Sequence, residues 1–118
     1  MPKQKPLNII SKSAARIAAV QIFYNKIISN KNIKEVYQDY KSSFKCELEN
    51  DFKINSLNEE FLNMLLLGFN NNLDKEIEKL LARDWKLNRI SAVNKSILFA
   101  GIIELNIIND LTDNIIIS

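Results

Sequence analysis

Histidine is absent from all 118 residues, and cysteine occurs once, at Cys46. The first absence removes histidine general bases, histidine triads and most zinc sites. The second excludes an internal disulfide and fits a reducing cytosol. Glycine and proline number two each, too few breakers for the many turns of a sandwich or barrel, so the expected class is all-α, long helices joined by short polar turns. No apolar run approaches membrane-spanning length, and the opening MPKQKPLN lacks the hydrophobic core of a signal peptide, so the expectation is a soluble, cytoplasmic protein with no membrane partner. No internal repeat, Walker loop, dinucleotide fingerprint or metal-ligand cluster appears, and no cofactor or metal is expected.

Acidic residues are missing from the first 34 positions. Up to Lys34 the charges are Lys3, Lys5, Lys12, Arg16, Lys26, Lys31 and Lys34, while the whole chain carries only +2. The remainder is therefore acidic on balance, and the molecule is polarised. One-sided charge of this kind suits a polyanionic partner and says nothing about fold.

The stretch Lys12 to Ser29, KSAARIAAVQIFYNKIIS, is apolar on most of its circumference when wound at about 100° per residue. Ala14, Ile17, Ala18, Ile22 and Ile28 supply the grease. Lys12, Arg16 and Lys26 share an arc of roughly 80°, with Ala19 and Phe23 on it. This predicts a central helix with one cationic edge left for water or for a phosphate backbone. A merely solvated edge is the plainer alternative. Ahead of it, residues 1–10 hold Pro2, Pro6, Lys3 and Lys5 and read as a flexible basic arm, with Ser11 as N-cap.

A second helix is predicted from Ile33 through Phe44 on Ile33, Val36, Tyr37 and Tyr40, then a loop from Cys46 to Ser56. LNEEFLNMLLLGF follows, with Leu62, Leu65, Leu66, Phe69 and Leu73 at helical spacing and Glu59 and Glu60 where a helix dipole favours acids. Ile77, Leu80 and Leu81 resume the pattern, and Trp85 and Leu87 mark a turn packed on the core. Ser91 caps a final helix over Val93, Ile97, Ala100, Gly101, Leu105 and Ile108, in which Gly101 allows a neighbour to approach closely.

Little of this is catalytic. Glu76, Glu78 and Asp84 read as a solvated helix face. Glu104 interrupts an apolar face, and a carboxylate there needs a donor, so an inter-helix or capping hydrogen bond is expected. Tyr24 could stack on a base or bury its ring.

AARIAAVQIFY at Ala14 to Tyr24, LLLGF at Leu65 to Phe69, W-x-L-x-R-I at Trp85 to Ile90 and VNKSILFAGIIEL at Val93 to Leu105 occur together in this order. The chain thereby resembles the NusB family of bacterial transcription antitermination factors, over nearly its whole length. The resemblance implies two small helical bundles that share the first helix. It also implies a non-catalytic protein that binds boxA-like RNA of ribosomal RNA leaders, pairs with NusE, a ribosomal small-subunit protein, and joins the RNA polymerase antitermination complex. The family's basic helix start falls on Lys12 and Arg16, its following aromatic on Tyr24, and its acidic-then-basic pair on Asn94 and Lys95; Lys3 and Lys5 add to the basic edge. The acid has become Asn94, and the usual arginine one turn on is Phe99.

Two other readings follow from the same resemblance. One is an RNA-docking domain like those of some ribosomal RNA cytosine methyltransferases, which would require a large cofactor domain. The other is a degenerate protein-binding adaptor, suggested by the thinned arginines. The family continues with further helices where this chain reaches Ile117 and Ser118. Within residues 11–118, a single NusB-like domain, the C-terminal bundle is therefore expected to be incomplete. The face of Val93, Ile97, Gly101 and Leu105 should then form an exposed apolar groove, to be filled by a second copy in a homo-oligomer, by a partner such as NusE or by Ile115 to Ile117 folding back, with self-association or poor solubility the favoured outcome.

Overall fold

The computed structural model describes residues 4–69, 73, 75, 79 and 91–117, with side chains from Ile9 to Asn109 within those ranges. Four long elements are helical and no strand occurs among the described residues, as the scarcity of breakers predicts. The first helix, α1, spans Gln4–Ser29. It begins well before Ser11, so Ser11 is not its cap, and the expected arm is helical from Gln4 onward. Pro6 is compatible with this because the first turn of a helix needs no backbone N–H from it. The Ser11 carbonyl instead accepts the Asn58 N–H at 3.2 Å, tying α1 to the start of the third helix. Asn30, at φ 60°, ends α1 in the left-handed conformation that asparagine tolerates.

Helix α1 is central, as its composition suggests: Ala14, Ala15, Ala18, Ala19, Ile22 and Phe23 are fully buried, and the other three helices pack on it. The buried arc is rotated from the one the sequence suggests. Ile17 and Ile28 are exposed, whereas Ala19 and Phe23, the supposed members of a cationic stripe, lie in the core. Four alanines let neighbouring backbones come close on that side, and close packing decides which arc is covered.

The second helix, α2, spans Ile33–Asp51 and runs about two turns beyond the expected end at Phe44. Asn32 caps it, accepting the Glu35 N–H at 2.9 Å while its amide donates to the Glu35 carboxylate at 3.1 Å. Val36, Tyr40 and Leu48 are buried at multiples of four, so one anchor, Leu48, holds the polar extension in place. Lys53, at φ 56°, turns the chain out. Leu57 then enters the core, its N–H bonded to Glu49 at 2.8 Å.

The third helix, α3, spans Glu59–Leu67, capped by Asn58, with Leu62 and Leu65 buried. At its end Gly68 lies against Ile103, where an added Cβ would collide with that side chain. The close-approach glycine is thus Gly68, and Gly101, expected to serve that purpose, has open space where its Cβ would stand. Leu73 is buried; Ile77, Leu80, Leu81, Trp85 and Leu87 lie outside the described residues.

The fourth helix, α4, spans Ala92–Ile117, with Ser91 Oγ accepting the Asn94 N–H at 3.2 Å. Phe99 meets Phe23 edge-on at 6.5 Å and Arg16 meets Glu104, so α4 runs antiparallel to α1. Phe69 completes an aromatic cluster, stacked on Phe23 at 5.1 Å and edge-on to Phe99 at 5.6 Å. By length and composition Ala92–Asn109 could cross a membrane, contrary to the sequence expectation. In this fold its inner face, Ser96, Phe99, Ala100, Ile102 and Ile103, is buried in the bundle.

Candidate nucleic-acid interface

The outer edge of α1 and the start of α3 build one end of the site. Capping by Asn58 fixes the first turn of α3 and directs Phe61 toward α1. The Lys12 ammonium then sits 5.5 Å and the Arg16 guanidinium 5.3 Å from the centre of the Phe61 ring. Both distances allow a cation to be held over an aromatic face. Beside them a cleft of about 400 Å³ opens between α1, α3 and α4, with Glu60, Met64 and Glu104 among its walls.

Arg16 is committed further. Its Nε donates to Glu104 Oε1 at 2.8 Å and its Nη2 to Oε2 at 3.0 Å, a bidentate pair across helices α1 and α4. The hydrogen bonds to Glu104 raise the guanidinium pKa above its ordinary value, against the opposing effect of burial. The donor that the sequence demands for Glu104 is therefore Arg16. The cleft holds two cations and two acids and is not a purely basic pocket. Three guanidinium N–H donors are left over from the two used.

Lys31 pairs with Asp39 at 3.4 Å and Lys45 with Glu59 at 2.8 Å. Glu59 also accepts from the Tyr37 hydroxyl at 3.0 Å. Among the described residues no carboxylate pairs with Lys12, Lys26, Lys34 or Lys95. These are among the cations that can meet phosphates without first breaking an ion pair.

The other predicted residues fall elsewhere. Asn94 and Lys95 open α4, and Lys95 lies 5.9 Å over the Phe99 ring. Because α4 is antiparallel to α1, they stand at the level of the C-terminal half of α1, which carries the half-buried Tyr24 and Lys26. At 1.5 Å per residue this level is about 15 Å along the seam from Arg16. The site residues thus form two clusters, Lys12 with Arg16 and Asn94 with Lys95. Lys5 belongs to the first turn of α1, while Lys3 lies outside the described residues. Phe99, where the resemblance implies an arginine, is buried in the aromatic cluster and offers nothing to a phosphate.

Sequence reasoning missed Phe61, whose only local signal was its place just after a cap and two glutamates. Among the described residues no group of three metal-ligating side chains exists.

The NusB family model matches residues 13–118, which include most of α1 and all of α2, α3 and α4. The chain belongs to the NusB family. Among NusB relatives, the transcription antitermination protein NusB of Caulobacter vibrioides is 30% identical over 111 residues, covering 91% of this chain and 74% of its own. That of Nitrobacter hamburgensis is 32% identical over 111 residues, covering 91% and 69%. That of Clostridium novyi is 24% identical over 113 residues, covering 92% and 79%. No solved structure gives a significant match.

Proposed function

We propose that this NusB-family protein is a non-catalytic, cytoplasmic RNA-binding factor in transcription antitermination, which takes boxA-like single-stranded RNA in company with NusE within the RNA polymerase antitermination complex. The observation that carries this reading is the grouping of Lys12 and Arg16 with the Phe61 ring at the edge of the acid-free N-terminal helix. Cations there hold phosphates, and aromatic and amide groups meet unpaired bases, the usual division of labour on single-stranded RNA. Asn94, Lys95 and Tyr24, about 15 Å along the same helix pair, provide a second foothold for a strand laid along the seam.

Relatives at 30% identity or more, those of Caulobacter vibrioides and Nitrobacter hamburgensis among them, carry the name transcription antitermination protein, which supports the general role. One observation favours a second reading, an adaptor that keeps protein pairing and has lost RNA: Glu60 and Glu104 line the cleft and Glu104 engages Arg16. Filter binding of a boxA-like RNA, with and without NusE, separates them. The RNA-binding reading expects retention that NusE strengthens, and the adaptor reading expects NusE binding with no RNA retained by either mixture.

A further inference from the structure

The cleft between α1, α3 and α4 holds more than cations. Its walls carry the carboxylates of Glu60 and Glu104, the amide of Asn58, the Phe61 ring and apolar side chains that include Met64. At about 400 Å³ it falls in the size range of small-molecule sites, which are apolar with a few placed polar groups. A surface that only held phosphates would gain nothing from carboxylates, because they repel the backbone it binds.

The acids differ in what they are free to accept. Both Glu104 oxygens take N–H groups of Arg16. Glu59 is engaged by Lys45 and by the Tyr37 hydroxyl. Glu60 is exposed and takes part in none of the ion pairs among the described residues. The Asn58 side-chain oxygen is spent on the Phe61 N–H, so what Asn58 adds to the cleft is its NH2 donor. The start of α3 thus offers the cleft a donor, a carboxylate with two acceptor oxygens and a flat ring.

We infer that this cleft takes one guanine of the RNA strand and that Glu60 reads it, an inference that rests on the RNA-binding reading above. Guanine alone among the four bases presents two adjacent N–H donors on its Watson–Crick edge, N1–H and the 2-amino group, with O6 as an acceptor beside them. A carboxylate accepts two such donors in parallel, as it does from a guanidinium, and the Asn58 NH2 meets O6. Uracil has a carbonyl where guanine has its amino group. Cytosine and adenine set an unprotonated ring nitrogen beside their single amino group. Each of these three turns a lone pair toward a carboxylate oxygen and is repelled. The face of the base lies against Phe61, the kind of plane on which unpaired bases stack. Lys12, which no carboxylate engages among the described residues, is at hand for the phosphate of the same nucleotide. Lys12 and Arg16 then supply affinity, and Glu60 supplies sequence.

Filter binding of the full chain to uridine oligonucleotides that carry one guanosine, one inosine or neither tests this. Inosine keeps N1–H and O6 and lacks the 2-amino group, so it removes one of the two bonds to Glu60. The parent should bind the guanosine strand about fivefold or more tighter than the all-uridine strand, the low end for one bidentate base contact, with the inosine strand in between. Glu60→Gln, at an exposed position, should keep its circular dichroism, bind the all-uridine strand tighter because a repelling charge is gone, and lose the preference for guanosine. A glutamate with a merely structural role would shift all three strands together. Equal binding of the three strands by the parent would overturn the inference and leave the RNA-binding reading standing, as would a preference that survives in Glu60→Gln. A parent that retains none of the strands would overturn both. Guanosine monophosphate bound by a parent that retains no RNA would also overturn the inference and assign the cleft to a free nucleotide.

Discussion

Arg16 on α1 and Glu104 on α4 are joined by two parallel hydrogen bonds of 2.8 and 3.0 Å, across 88 residues of sequence. The pair fixes the register of the central helix against the last one and places a carboxylate beside the cations proposed to hold RNA. An RNA phosphate at this edge competes with Glu104 for the guanidinium. Glu104→Gln is expected to raise affinity for boxA-like RNA severalfold, because a neutral amide releases the arginine and removes a repelling charge. Arg16 is 43% exposed, so the thermodynamic loss should stay below about 1 kcal/mol. Filter binding and urea melts on the same variant check both.

The two glycines should respond in opposite ways. Gly68→Ala drives a methyl group into Ile103 and should destabilise the fold by about 1–3 kcal/mol, the usual cost of overpacking. Gly101→Ala meets nothing and replaces the poorest non-proline helix former by the best, so it should be neutral or stabilise by up to about 1 kcal/mol. Denaturant midpoints of the two variants decide.

These contrasts show what could be read from the sequence. Scarcity of glycine and proline was enough for the all-helical class, and the periodicity of Leu62, Leu65, Val36 and Tyr40 placed two of the helices, because burial on one face writes itself into spacing. The need of Glu104 for a donor was also legible, since a carboxylate on an apolar face cannot stay unpaired. What spacing could not tell was which arc of α1 faces inward. Ala19 and Phe23 share an arc with Lys12 and Arg16, and only the arrival of Phe69 and Phe99 decides that the aromatic goes in while the cations stay at the rim. Phe61 was invisible for the same reason: its partners are on another helix.

Alkaline pH should weaken the fold through the pair of stacked tyrosines on α2, whose ring centres are 6.0 Å apart. Burial, then the hydrogen bond to Glu59, pushes the Tyr37 hydroxyl up to about 12 from 10.0. The fully buried Tyr40 is pushed upward too, mainly by burial. The unfolded chain loses these protons near pH 10 while the folded chain keeps them, so stability is whole below about pH 10 and falls as pH rises toward about 12. Melting temperature measured from about pH 9 to about pH 12 should drop across that window, and Tyr37→Phe should flatten the drop.

Tyr24 separates stacking from phosphate attraction. If its ring stacks on a base, Tyr24→Ala should cost about 1–3 kcal/mol of binding and leave the salt slope unchanged. A large fall in melting temperature with unaltered RNA affinity would place the ring's contribution in the core instead.

The most direct test of the RNA-binding edge is the salt dependence of boxA-like RNA binding by the parent chain and by Lys12→Glu/Arg16→Glu. Three or four phosphate contacts give a slope of about −2 to −3, hence binding roughly 20–50-fold weaker at 200 than at 50 mM salt. The account predicts that slope for the parent and loss of binding in the double variant with its helical spectrum intact. A folded double variant that binds as tightly as the parent, with the same slope, would contradict it.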